Sequence, residues 1–277
     1  MRSYADLVLY SSTNALPLDL VIREEVQRLS LRYLSERGFF ITGVFQGGTA
    51  IRLFYEGTRF SEDLDFVLQP GTTLGDLNLA ATLAGLPSFL AREVPFARHT
   101  SIKEQKAGPT FARYRCRLER EAPGGALVIN LAFAGVPSRL PRPRLVRSDA
   151  VDAAVIVEDE AEILVDKLVA MALRPYAKGR DIWDIWFLTD QRHVAMPEAT
   201  AVLAKAADYG VSRAEYCDRA RTASLRIETS GPGALDAEMK RFLPPRVYDA
   251  VGPAFADITA VAAATMNGLA DHLDATP

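Results

Sequence analysis

GGTAIRLFYEGTRFSEDLDF, residues 47–66, is the stretch whose reading decides the architecture of this chain. Upstream of it FFITGVFQ is a short apolar run rich in β-formers and is read as a buried strand. Gly47 and Gly48 then allow a tight turn and close approach of another backbone. Residues 49–55 read as a short helix, with Ile51, Leu53 and Phe54 available for packing. The unpaired N–H groups at the start of such a helix favour an anion such as phosphate. Residues 60–68 read as the next strand. On it Asp63 and Asp65 are two apart, so both carboxylates point to one side while Leu64 and Phe66 point into a core. Two bare carboxylates this close repel each other. A divalent cation held between them removes the repulsion, and Mg2+ takes carboxylate, water and phosphate oxygens. A Gly-Gly turn alone, or a lone D-x-D at a strand end, is most often structural, so the reading rests on their combination.

Outward from this block, residues 17–37 read as a helix with Val21, Ile22, Val26, Leu29, Leu31 and Leu34 recurring every three to four residues, and Gly38 ends it. Residues 70–90 read as a loop leading into a helix with Asp76, Leu77, Leu79, Leu83 and Leu86 as its skeleton. Residues 111–118 alternate, with Ala112, Tyr114, Cys116 and Leu118 on one face and Arg113, Arg115 and Arg117 on the other. The turn EAPGG leads into ALVINLAFAG, a predicted hairpin partner whose Ile129, Leu131 and Phe133 share a face. PSRLPRPRLVRSD carries three prolines and the arginines Arg139, Arg142, Arg144 and Arg147, so it is neither helix interior nor central strand and is read as a connector. Beyond it residues 158–173 and 181–188 read as helices, and the alanine- and leucine-rich remainder as further helices.

The 277 residues can hold one large domain or two modest ones, and 49% hydrophobic with 24% charged is the composition of an ordinary globular protein. No apolar run reaches the ~18–20 residues of a membrane span, and the N-terminus lacks the pattern of a secretory signal. Cytoplasmic residence is the expectation, with no membrane partner. Cys116 and Cys217 have no C-x-x-C spacing and are expected to be reduced core residues. His99, His193 and His272 form no zinc pattern, so any metal is expected on oxygen ligands. The net charge of −3 conceals an arginine-rich stretch between Arg92 and Arg147, followed by an acidic one.

A glycine turn, a short helix and D-x-D on the next strand is the layout of polymerase-β-like nucleotidyltransferases. More narrowly, residues 47–66 resemble the GGTALR…R-x-S-x-D-x-D-F block of the AbiEii/AbiGii family, to which the MenT toxins belong. Gly47, Gly48 and Thr49 match its phosphate-binding turn and Arg59 and Ser61 its R-x-S, which the resemblance makes nucleotide-binding residues, and Asp63 and Asp65 match its catalytic metal ligands. EAEILVDKLVAMALR followed by GRDIWDIWFL is similar to the family's E-x-L-x-x-K-L-x-A-L…R-D-x-x-D-L block. There Lys167 aligns with the lysine that contacts nucleotide phosphates, Asp184 best and Asp181 second with the late aspartate, and Arg180 is a candidate partner for a carboxylate or phosphate. The resemblance implies an α+β fold, a nucleotidyltransferase core of mixed sheet flanked by helices over residues 1–150. A helical region over residues 151–277 then contributes Lys167 and Asp184 to the site. It also implies Mg2+ (or Mn2+), an NTP, the 3′ acceptor end of tRNA as the group modified, a resulting block of translation, and a cognate antitoxin.

One residue departs from the superfamily pattern. A third carboxylate is expected inside ALVINLAFAG, and the residue oriented for it is Asn130. An amide cannot accept the attacking proton. Three readings follow: a toxin-type transferase acting on tRNA, a transferase acting on a protein or small molecule, and a catalytically degenerate member that binds RNA or a partner.

Overall fold

The computed structural model describes residues 3–120, 125–148 and 151–275. The chain divides into two units, Met1–Asp159 and Glu160–Pro277.

The first unit is an α+β assembly on one mixed sheet. Helix α1 (Tyr4–Thr13) starts in a capping box between Ser3 and Asp6. Helix α2 (Leu18–Glu36) buries Val21, Ile22, Val26, Leu29 and Leu34, the stripe its periodicity predicts. Strand β1 (Gly43–Gln46) runs into α3 (Gly47–Phe54), and β2 (Leu64–Leu68) follows. Two short helices, α4 (Leu79–Ala84) and α5 (Leu86–Glu93), lead to β3 (Ala97–Ala107), β4 (Phe111–Arg120), β5 (Ala126–Pro137), β6 (Pro141–Ser148) and β7 (Val151–Glu158). The strand order is β3-β4-β5-β2-β1-β7-β6, with β1·β7 and β2·β5 parallel and the other pairs antiparallel.

Register follows the apolar face, because a one-residue slip would move every core side chain to the other side. Leu64 pairs with Leu131 and Phe66 with Phe133. The rings of Phe66 and Phe133 stack 5.0 Å apart, and Phe39 and Phe45 close on Phe66 at 5.1 and 5.4 Å. Each such buried ring contributes on the order of 2–3 kcal/mol through the area it removes from water. On the opposite face Val44, Val67 and Val136 make a small cluster with Ala134 and Ile156.

The second unit is helical: α6 (Glu160–Leu173), α7 (Gly179–Trp186), α8 (Ala199–Asp208), α9 (Arg213–Phe242), α10 (Pro245–Val251) and α11 (Phe255–Ala275). The long α9 packs on α6, α7 and α11 around Leu164, Trp183, Tyr216, Ile227 and Met266.

Several expectations change in detail. FFITGVFQ splits: Phe39–Ile41 is a 3-10 turn following Gly38 at φ 71°, and only Gly43–Gln46 is strand. The helix after β1 starts at Gly47 itself. The strand read over residues 60–68 begins at Leu64, so Asp63 stands just before it. The proline-rich connector contains β6, an edge strand, where a proline costs no inner ladder bond. The expected boundary at residue 150 falls one strand early, because β7 pairs with β1 and β6 and so completes the sheet of the first unit. Strands β3 and β7 were not anticipated. Of the turn EAPGG, residues 121–124 lie outside the described residues, but the hairpin pairing of β4 with β5 is present.

Among the described residues no single helix is long and apolar enough to cross a membrane. Cys116 and Cys217 are both free and buried, and burial pushes the Cys116 thiol up to about 12, which makes it inert.

Candidate functional site

On the sheet face away from the phenylalanine cluster, polar side chains converge where β1, β2 and β5 meet. The pairing shows why. Leu64 and Leu131 are buried partners, so the next pair, Asp65 and Ala132, shares the opposite face. Asn130, two residues before Ala132, lies on that face too. Its side-chain amide donates to Asp63 Oδ1 at 2.8 Å, which brings Asp63 to the same side as Asp65. Gln46, cross-strand partner of Asp65, completes the row.

The glycine turn is fitted against this pair. Gly47 has φ 81°, a left-handed conformation costly to any residue with a Cβ. A Cβ there would also stand 2.8 Å from Asp65 Oδ2, and one at Gly48 would stand 2.2 Å from Arg59 Nη2. Arg59 is buried, with Nη1 donating to the Phe60 carbonyl at 3.1 Å. Its guanidinium thus fills the space beneath Gly48. Thr49 is fully buried, and its hydroxyl donates to the Asp63 carbonyl. The hydroxyl fastens the segment leading into β2, so what Thr49 can offer an anion is its backbone N–H in the first helical turn. Ser61 is half-buried, and its carbonyl accepts from Gln27 Nε2 at 3.0 Å.

Sequence reasoning did not find the residues that hold this loop. Gln27 is buried on the inner stripe of α2, and a polar residue at a stripe position was the available signal. Glu24 accepts from Arg52 Nε at 2.7 Å and Arg28 Nη2 at 2.9 Å, and Arg52 also donates to the Gly57 carbonyl and lies over the Phe60 ring. Burial alone would raise the Glu24 carboxyl, but the two guanidinium charges and their hydrogen bonds hold it below the usual glutamate range.

Two aspartates and an amide suit a hard divalent cation. Besides the two carboxylates, Asn130 Oδ1 is a buried acceptor without a hydrogen-bond partner among the described residues, although its own amide nitrogen is used. The donor set is oxygen only, as Mg2+ prefers. It is smaller than a cage of three acids: among the described residues no three His, Cys, Asp or Glu side chains come together to hold a metal.

The second motif forms a cluster of its own in the helical unit. Lys167 Nζ on α6 reaches Asp181 Oδ1 at 2.9 Å and Asp184 Oδ2 at 2.7 Å on α7. Arg174, also missed by sequence reasoning, pairs with Asp181. Both aspartates are buried, so the pairing offsets the cost of removing their charges from water. Asp181 uses its side chain for these bonds, and Lys178 rather than Asp181 occupies the N-cap position of α7. Arg180 donates from Nε to Glu238 at 3.1 Å and lies over the Phe242 ring, which ties it to α9.

The arginine-rich stretch between Arg92 and Arg147 does not gather its cations in one place. Those of β4 and those of β6 are separated by β5, β2, β1 and β7, roughly 24 Å at the normal strand spacing. Arg142 pairs with Asp159, and Arg144 lies over the Tyr55 ring. The Arg147 side chain lies outside the described residues.

The sequence model of the family described as "Nucleotidyl transferase AbiEii toxin, Type IV TA system" matches residues 29–261, which include both motifs. The chain belongs to this family. AbiEii proteins are nucleotidyltransferase toxins of type IV toxin–antitoxin systems, and that is the class of this one. The fold is similar to that of MenT4, a nucleotidyltransferase toxin from Mycobacterium tuberculosis, with TM-score 0.56 and 16% identity over 98% of this chain and 94% of that one. JHP933 from Helicobacter pylori aligns with TM-score 0.48 and 19% identity over 92% of this chain and 91% of that one. No curated protein matches the chain in sequence.

Proposed function

We propose that this AbiEii-family chain acts in the cytoplasm, transferring a nucleotide from an NTP to the 3′ end of an RNA, with the acceptor end of tRNA as target and a block of translation as outcome. The observation that carries the reading is the placement of Asp63, Asp65 and Asn130 on one sheet face, directly beside the glycine-initiated helix. The N–H groups of the first turn of α3 bind the phosphates, favoured by the positive end of the helix. Gly47 and Gly48 keep Cβ atoms out of the space that Asp65 and Arg59 occupy. Arg59 and Ser61 hold the turn against the aspartates, and Asp63 and Asp65 are the ligands for Mg2+ or Mn2+. The cation, when bound, neutralises phosphate charge and acidifies the attacking hydroxyl. Asn130 orients Asp63 and takes no proton, so the proton of the attacking hydroxyl leaves to solvent or to the departing pyrophosphate.

Lys167 and Asp184 belong to the same proposal as catalytic residues, and Lys167, Arg180 and Asp181 as nucleotide-binding residues. Their support is the family match, which spans their motif. A cognate antitoxin is the expected protein partner of a type IV system.

The test is incubation of the full chain with each radiolabelled NTP and total RNA, with Asp65→Ala as control. Label on RNA that vanishes in the variant supports the reading, and sequencing of tRNA 3′ ends then names acceptor and added nucleotide. Label on protein and not on RNA overturns the RNA assignment.

A further inference from the structure

The sheet face that carries Asp63 and Asp65 continues, without a change of side, across β5 to β4 and β3. Asn130 pairs with Arg115, and Arg115 with Lys103. Ala132, beside Asp65, pairs with Arg113, and Arg113 with Lys106. Directly paired residues point to one face, so two rows of cations lead away from the two aspartates. Lys103 and Lys106 are three apart in sequence and would face opposite ways in a regular strand. The register shift between Glu104 and Lys106 leaves Gln105 unpaired and returns Lys106 to the side of Lys103. Bulges commonly re-aim a side chain in this way.

These cations have not been neutralised internally. Lys103 and Arg115 are exposed and Arg113 is half-buried, and among the described residues none of the three makes a hydrogen bond or an ion pair. Elsewhere in the first unit Arg28, Arg52, Arg120 and Arg142 all hold carboxylates. Glu119, the acidic side chain on this face of β4, is taken by Arg117. Like charges directly opposite each other on adjacent strands destabilise a sheet, so the arrangement is one that an external polyanion relieves.

We propose that Lys103, Arg113 and Arg115 form the track on which the phosphodiester backbone of the acceptor RNA lies, with its 3′ end at Asp63 and Asp65. The inference rests on the reading above that the acceptor is RNA and adds where that strand runs. Arg113 stands two strands from Asp65, roughly 10 Å, and Lys106 about 14 Å. About three to four nucleotides at ~3.4 Å per step cover that span. Contacts to phosphates position a strand and do not read its bases. Acceptor identity is therefore decided elsewhere, and removing the track weakens all RNAs alike.

The experiment uses the full chain carrying Lys103→Gln, Arg113→Gln and Arg115→Gln together, beside wild type and Arg219→Gln, an exposed charge removal in the helical unit. Binding of a 5′-fluorescein-labelled single-stranded RNA and of total tRNA is measured by anisotropy over a salt series, and NTP binding by thermal shift. The triple variant is expected to lose about ten-fold or more in RNA affinity, with a log K against log salt slope shallower by about two. NTP binding and Arg219→Gln are expected to match wild type. A triple variant with wild-type affinity and slope overturns the track, and the proposed function stands if RNA is still labelled. If wild type labels protein and not RNA, both fall. If the three substitutions weaken binding of polyglutamate and leave RNA binding unchanged, the strip serves an acidic protein and the RNA track is overturned.

Discussion

The side-chain amide of Asn130 on β5 donates to Asp63 Oδ1 at 2.8 Å, holding the first aspartate of the pair from the strand next to it. Where a third carboxylate would repel Asp63, an amide stabilises it and needs no cation to do so. Asn130→Asp is therefore expected to cost on the order of 1–3 kcal/mol in EDTA, because a hydrogen bond is replaced by a like charge. Millimolar Mg2+ should return more of that loss to the variant than it adds to wild type. Thermal melts of both proteins with EDTA and with Mg2+ check this. Equal Mg2+ responses would count against cation binding at the aspartates.

Gly47→Ala combines a left-handed backbone with a Cβ placed 2.8 Å from Asp65 Oδ2. The backbone term alone is about 1–2 kcal/mol. The larger effect is expected on activity, since relief of the clash moves Asp65. Urea unfolding should show the modest loss and the transfer assay a near-complete one.

Glu24 links α2 to Arg52 on α3. Its carboxyl lies below the usual range when folded, so its contribution is complete above that range and fades as pH falls through the lowered value. Glu24→Gln should lower the urea midpoint at neutral pH, and the gap to wild type should close in acid. A gap that stays constant with pH would show that the charge is not responsible.

In the helical unit Lys205 is buried between Glu162 Oε1 at 3.0 Å and Asp166 Oδ1 at 2.8 Å. Lys205→Ala takes this cation away from the buried Glu162 and the half-buried Asp166 and is expected to cost about 3–5 kcal/mol. Adding Glu162→Gln should recover part of it. Denaturation curves of the single and double variants read this directly.

How far the chain could be read depended on where each segment lies in the sheet. Residues 111–118 showed their alternation because one face of β4 is core and the other is wet. β3 stayed hidden because it is an edge strand, exposed along most of its length, with no apolar period to find. β6 was masked by its prolines, and the domain boundary moved because β7 reaches back to β1. Within the motif the residue types were legible but not their contacts: the Thr49 hydroxyl and the Arg59 guanidinium are buried against the loop.

From the order of residues alone came the glycine turn, the aspartate pair, the lysine helix and the family they belong to, since all of these are local spacings. Tertiary structure decided that Asn130 meets Asp63, that Lys167 is held by Asp181 and Asp184, and that Arg113 and Arg115 share a face with the aspartates. Those relations join positions far apart in the chain. They are set by strand register and helix packing, and those in turn by which apolar faces must be buried together.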